Sequence, residues 1–276
     1  MLQAAAHSGA PTVQCSLDLD RSTATVVIGP DRWSWHGAEY PYLETCRERT
    51  IYYWTGESFE PVSRYTSGLI KLVPTEWGPP TFEIDGIKML PTAQVSPYED
   101  AATKVALIRP RGKVILDTCG GLGYFAAWCL RGQSAQVLSY EKNADVLWLR
   151  SLNPWSPQPG GALTLTQGDI AEQIVTLPDA SVDAILHDPP RFGIAGELYS
   201  QAFYDHLARV LRRRGLMFHY TGTPNRLTSG RDVPDEVARR LQRAGFRTEL
   251  RGDGVLARQW RDLSRARVRT GPASPA

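Results

Sequence analysis

The chain lacks most of the features that would settle its class at a glance. No apolar run reaches the ~18 residues of a membrane-spanning helix, and the first residues lack the basic-then-apolar order of a secretory signal. No membrane partner is expected. The four cysteines, Cys15, Cys46, Cys119 and Cys129, show no metal-ligand spacing, so no metal site is implied, and reduced thiols in a cytoplasmic protein are the expectation. Charge of one sign is also missing. Thirty-one Lys and Arg against 29 Asp and Glu leave +2, too little to argue a nucleic-acid partner by itself. Arg258, Arg261, Arg265, Arg267 and Arg269 do crowd the end of the chain, where a solvated basic tail is the simplest reading. There is no internal repeat, and low complexity is confined to 271–276. What is present is ordinary globular material: 42% hydrophobic residues support a real core, and eight Trp promise large packed side chains and a candidate pocket wall.

The pattern changes near residue 95. Before it, short β-type runs at 23–28, 50–54 and 81–84 alternate with Gly, Pro and Asp turn signals, which reads as a small β-rich N-terminal domain or cap over 1–95. After it, helices and strands alternate. Helices are expected at 97–108, 124–130, 144–152, 171–177, 198–213 and 234–244. Strands are expected at 113–117, 136–141, 162–166, 182–187 and 215–220, with a hairpin of 246–251 and 255–260. That order predicts an α/β fold: a Rossmann-like, doubly wound, mostly parallel seven-stranded sheet with an antiparallel last strand, over 96–262, followed by a basic tail at 263–276.

Chemistry-bearing residues fall at the ends of these strands. Asp117-Thr118-Cys119-Gly120-Gly121-Leu122-Gly123 follows the first strand and opens a helix, where glycines permit a tight turn and a close ligand. The second strand ends in Glu141, placed to accept bonds from two ribose hydroxyls, and the third ends at Gly168-Asp169. Asp169 is suited to an adenine amino group, although it also reads as a helix cap before Ala171. The fourth strand delivers His187-Asp188-Pro189-Pro190-Arg191-Phe192. Pro donates no backbone N–H, so the turn is held extended with Asp188 and the Pro189 carbonyl as acceptors for an amine.

This ordered set resembles the class I S-adenosylmethionine-dependent methyltransferases over about residues 96–260. The resemblance implies that Asp117, Cys119, Gly120, Gly121 and Gly123 face the methionine part of S-adenosyl-L-methionine. It assigns Glu141 with Lys142 to the ribose side, and Gly168, Asp169 and Ile170 to the adenine side. Cys119 stands where a first glycine is common and should keep an ordinary negative φ. Asp188 would border the cofactor and, with the Pro189 carbonyl, hold the acceptor nitrogen, as in the (D/N)PP(Y/F) turn of amino-methylating relatives. Arg191 replaces that turn's aromatic, with Phe192 one place later. The HDPPR and FHYTG segments together are similar to a group of predicted methyltransferases, many of them archaeal. The stretch from Gly196 to Tyr204 is also similar to spermidine-synthase-like proteins, whose glycine loop carries an acidic residue where this one has Leu122.

Around the turn, Arg191, Phe192, Tyr199 and Tyr220 are the expected substrate contacts, with Trp155 and Tyr204 as further wall candidates. His219 is a candidate general base by its near-neutral ordinary pKa, or else a pocket liner, while His187 reads as a buried structural histidine. Arg226 and Arg231 suit an anionic substrate or plain solvation. The expected function is methyl transfer to nitrogen. An aminopropyltransferase using the decarboxylated cofactor, and a cofactor-binding protein without catalysis, remain alternatives. A small molecule and RNA are comparable acceptors, and a homodimer is an open arrangement.

Overall fold

The structure, a computed structural model, describes residues 1–190, 195–222 and 232–260. Packing divides the chain into two compact units, Met1–Asp100 with Asp145–Pro157, and Ala101–Ala144 with Gln158–Ala276. The division therefore falls at Asp100 rather than near 95, and the N-terminal unit is not contiguous. The reason is local chemistry around the returning segment. The Arg64 guanidinium lies 3.7 Å over the Trp148 ring and 3.4 Å from Asp145. Tyr53 meets the same indole edge-on, and Trp155 donates its indole N–H to the Leu19 carbonyl at 2.9 Å.

The N-terminal unit begins with α1 (Leu2–His7). Strands β1 (Thr12–Cys15), β2 (Ala24–Ile28), β3 (Arg32–Trp35) and β4 (Ala38–Pro41) form an antiparallel sheet in chain order. A β5 (Tyr52–Trp54) and β6 (Phe59–Pro61) pair follows. Then β7 (Ser63–Tyr65), β8 (Leu69–Val73), β9 (Thr81–Ile84) and β10 (Ile87–Lys88) make a second antiparallel sheet. Several of the tryptophans are used here: Trp33 stacks on Tyr40 at 4.5 Å, and Trp54 tilts against Phe59 at 4.9 Å. The β-rich reading of this region is thus what its aromatic, turn-punctuated sequence produces.

After α2 (Pro97–Ile108) the alternation begins: β11 (Val114–Asp117), α3 (Tyr124–Arg131), β12 (Gln136–Glu141), α4 (Ala144–Leu152), β13 (Leu163–Gln167), α5 (Ile170–Gln173) and β14 (Val182–His187). The remainder is α6 (Gln201–Val210), β15 (Leu211–Tyr220), α7 (Val233–Arg243), β16 (Phe246–Arg251) and β17 (Gly254–Gln259). The sheet has seven strands in the order β13-β12-β11-β14-β15-β17-β16, with β17 antiparallel to both neighbours. The strand sequence reverses between β11 and β14, where ligands bind in open α/β sheets. β14 is central and covered on both faces, so Val182, Ala184, Ile185 and Leu186 are all buried and the polar–apolar alternation disappears.

One expected helix is wrong in extent. Residues 198–213 do not form a single helix: a 3-10 turn at Gly196–Tyr199 precedes α6, and β15 already begins at Leu211. Ser200 causes the first break, because its hydroxyl accepts the Phe203 N–H at 3.1 Å and caps a new helix. At the other end Leu211 turns extended and pairs with Val182, and the register then jumps so that Leu216 meets Ala184. Pairing to β14 outweighs the helical spacing of Val210 and Leu211. Similarly, the expected helix 171–177 is α5 followed by a 3-10 turn at Ile174–Thr176.

Candidate active site

The glycine loop after β11 has the backbone its composition predicts. Gly121 (φ 49) and Gly123 (φ 80) take left-handed conformations, and Gly123 is the N-cap of α3. Cys119 is not among the residues with positive φ. Gly120 donates its N–H to the Tyr140 carbonyl at 2.7 Å, which ties the loop to β12.

Strand order sets four acidic residues along one edge. Asp117 ends β11, Glu141 ends β12, Asp169 follows β13 and Asp188 follows β14, and these four strands are adjacent. Cys119 lies within their field. Burial, then Glu141, and further Asp188 and Asp117, push its thiol well above the ordinary range, so it stays protonated and is no nucleophile here. Asp117 is buried and accepts the Ser139 hydroxyl at 2.8 Å. Glu141 is anchored by two backbone donors, Gly121 N–H on Oε2 and Asn143 N–H on Oε1, both at 2.9 Å. A carboxylate with two oxygens matches the two donors of a vicinal diol.

Asp169 is more engaged than the sequence implied. Oδ1 accepts the Ala171 N–H and caps α5, while Oδ2 pairs with Lys142 at 2.6 Å. Although burial opposes it, bonding to Lys142 and Ala171 holds this carboxyl below its ordinary pKa. The Lys142 side chain is largely exposed, so it can swing aside for an adenine amino group. Ile170 is buried beside this corner. The donor set therefore fits S-adenosyl-L-methionine: carboxylates for its hydroxyls, amines and sulfonium charge, and a left-handed glycine loop for close approach.

The Asp-Pro-Pro turn follows β14, whose Leu186 is the register partner of Asp117. The Tyr199 hydroxyl donates to the Pro190 carbonyl at 3.2 Å and so braces the turn. Among the described residues no hydrogen bond reaches the Pro189 carbonyl. Burial first, then Asp188, Cys119 and Tyr220, raise the Tyr199 hydroxyl's pKa. The sequence-named Asp117, Cys119, Glu141, Asp188, Tyr199 and Tyr220 are thus brought together. Arg191, Phe192, Arg226 and Arg231 lie outside the described residues. Trp155 packs within the N-terminal unit against Tyr98 at 5.2 Å.

Both histidines behind the turn are buried and fully engaged. His187 Nε2 faces the Leu198 carbonyl at 3.2 Å, so that nitrogen carries the proton and Nδ1 accepts from the Thr118 hydroxyl at 2.7 Å. Burial lowers its pKa to about 3. His187 thereby clasps the glycine loop, the Asp188 strand and the turn bearing Tyr199. His219 donates from Nδ1 to the Tyr220 carbonyl at 2.8 Å and accepts from the Tyr204 hydroxyl at 3.0 Å. Burial, with His187 beside it, drives its pKa well below 6.5. With both ring nitrogens hydrogen-bonded and the side chain buried, His219 is a packing histidine rather than the general base its type and strand position suggested. Tyr204, a candidate wall residue, is likewise fully buried.

Sequence reading missed Lys104. This α2 residue is buried, lies 3.9 Å over the Tyr220 ring, and sits 3.5 Å from Asp253 in the hairpin turn. The available signal was a lysine within the stripe Tyr98, Ala101, Val105 and Ile108, all buried in α2.

No family model matches the chain. Over 201 residues it is 42% identical to uncharacterized protein MJ1233 of Methanocaldococcus jannaschii, a match covering 71% of this chain and 69% of that protein. It is 31% identical over 188 residues to a probable S-adenosylmethionine-dependent methyltransferase, Rv3030, of Mycobacterium tuberculosis, covering 61% of this chain and 62% of that relative. The chain belongs to the family of MJ1233, within the class I S-adenosylmethionine-dependent methyltransferase superfamily. Solved structures agree on the fold. A spermidine synthase in complex with the transition state analogue AdoDATO superposes with a TM-score of 0.58 at 16% identity, covering 82% of this chain and 86% of that one. The spermidine synthase of Thermotoga maritima gives 0.56 at 17% identity, covering 82% and 85%. For this class I methyltransferase-superfamily chain, the carboxylate-lined edge is the candidate active site. Among the described residues no helix is long and apolar enough to cross a membrane, and no cluster of His, Cys, Asp or Glu could hold a metal ion.

Proposed function

We propose that this protein transfers a methyl group from S-adenosyl-L-methionine to a nitrogen nucleophile held at the Asp188-Pro189 turn. The observation that carries this is the placement of Asp117, Glu141 and Asp188 at the carboxyl ends of three adjacent parallel strands, one carboxylate from each. The cofactor, when bound, supplies an activated methyl group on a positively charged sulfur. The protein's part is positional and electrostatic. Glu141 binds the ribose hydroxyls while Gly121 fixes its orientation, and Asp169 takes the adenine amino group as Lys142 yields. Asp117 and Asp188 favour the cationic end.

At the turn, Asp188 and the Pro189 carbonyl each accept one N–H, which aims the nitrogen lone pair at the methyl carbon. Asp188 also offers the nearest acceptor for the proton the nitrogen sheds. Tyr199 keeps the turn from flexing, and Lys104 steadies Tyr220 as a wall. Water is excluded on this side by the buried histidine pair and Tyr204. The test is Asp188→Ala. Binding of S-adenosylhomocysteine by calorimetry should stay within a few-fold, while labelled-methyl transfer to a total RNA or metabolite extract falls by about 10²-fold or more. Parallel loss of both would remove Asp188 from the acceptor role.

A further inference from the structure

The amino edge of the seven-stranded sheet, opposite the edge that carries Asp188, gathers cations from three separate parts of the chain. Arg109, Arg111 and Lys113 precede β11; Arg212, Arg213 and Arg214 stand where β15 bulges; Arg258 is near the end of β17, which runs back to this edge. Register aligns them. Ile115, Ala184, Leu216 and Arg258 are successive partners across β11, β14, β15 and β17, so the residues just beyond them form one edge.

Three observations show cations crowded there against their own repulsion. Arg258 is the direct cross-strand partner of Arg247, and both are exposed; like charges so opposed destabilise a sheet. Burial, and then Arg109 and Arg258, push the Lys113 ammonium below its ordinary range, with Asp183 opposing them. The bulge presents three successive exposed arginines and holds Arg214 at φ 65, a left-handed conformation unfavourable for a side chain. Asp183 answers one of them, pairing with Arg212 at 2.6 Å. Beside this edge Trp260 is 51% exposed, with the Arg247 guanidinium 3.3 Å over its ring.

We propose that this edge binds a single-stranded stretch of RNA, its phosphates along the arginines and Lys113 and one base on Trp260. Crowded cations answer a polyanion, and an exposed indole backed by a guanidinium is a stacking platform for an unpaired base. Unstacked bases are usual in RNA loops and absent from duplex DNA, so a base-stacking indole beside crowded cations favours single-stranded RNA. Strands of four to six residues place this edge roughly 15–20 Å from the Asp188 edge, so RNA held here leaves the cofactor site open.

The experiment is fluorescence anisotropy of a labelled 12-nucleotide oligouridine with the full chain, over a salt series. In the unaltered protein, the logarithm of affinity should fall linearly with the logarithm of salt, with a slope near −0.7 for each phosphate contact. R213Q/R214Q should reduce that slope by about 1.4 and weaken binding about tenfold at 0.1 M salt. W260A should weaken binding about 5- to 100-fold with the slope unchanged, and W260F should restore most of it. S-adenosylhomocysteine affinity should stay constant throughout, which separates this result from the fate of the methyl-transfer proposal. Salt-independent binding, variants that bind like the unaltered protein, or equal binding of duplex DNA or polyglutamate would each overturn it.

Discussion

Glu141 shows how one residue serves both the fold and the proposed chemistry. Its carboxylate accepts two backbone N–H groups, from the glycine loop and from Asn143, and is the group proposed to bind the ribose. Glu141→Ala should therefore cost about 1–2 kcal/mol of stability, because the two donors lose their acceptor, and weaken S-adenosylhomocysteine at least tenfold. Thermal melting and calorimetry check the two effects separately. The buried histidines make a pH prediction. His187 titrates near 3 in the folded chain and near 6.5 unfolded, and His219 is shifted the same way. Below 6.5 the unfolded state binds protons that the native state refuses, so stability falls as pH drops from about 6.5 towards 3. Between pH 7 and 5 His187 should cost about 2 kcal/mol, with His219 adding a loss of the same sign. Urea unfolding of His187→Gln against the unaltered protein should show a shallower fall of stability between pH 7 and 5; an identical slope would place the titration elsewhere.

At the level of elements, the sequence was legible wherever periodicity and punctuation agreed. β12, α4 and β14 follow runs whose ends are marked by charge, Asn-Pro or Asp-Pro, and they fall at residues 136–141, 144–152 and 182–187 as expected. The segment at 198–213 was not legible, because Leu198 with Ala202, and Tyr204 with Leu207 and Leu211, keep three- and four-residue helical steps while a serine cap and a pairing to Val182 divide it. Ser200→Ala should cost about 1 kcal/mol by loss of that cap, measured by urea denaturation. A cost near zero would mean that packing alone sets the break. The same limit applies to side chains. Asp169 could be read as a cap from Ala171, but its pairing with Lys142 depends on how β12 and β13 align. The His219 environment likewise comes from α6, distant in sequence.

For the molecule as a whole, the two edges of the sheet differ in charge. The carboxyl edge is acidic and carries the proposed transfer; the amino edge is basic and carries the proposed RNA contact. The chain's near-neutral total hides this separation, which appears only once strand order is known. The non-contiguous N-terminal unit was invisible for a related reason: Arg64, Asp145 and Trp148 are far apart in sequence and meet only in the folded unit. The likeness to spermidine synthases, shared over 82% of the chain, leaves the choice of cofactor as the central question. Titration calorimetry with S-adenosyl-L-methionine and with its decarboxylated form measures that choice directly. Methyl transfer requires micromolar binding of the first and binding of the second weaker by roughly tenfold or more, and preference for the decarboxylated form would contradict it.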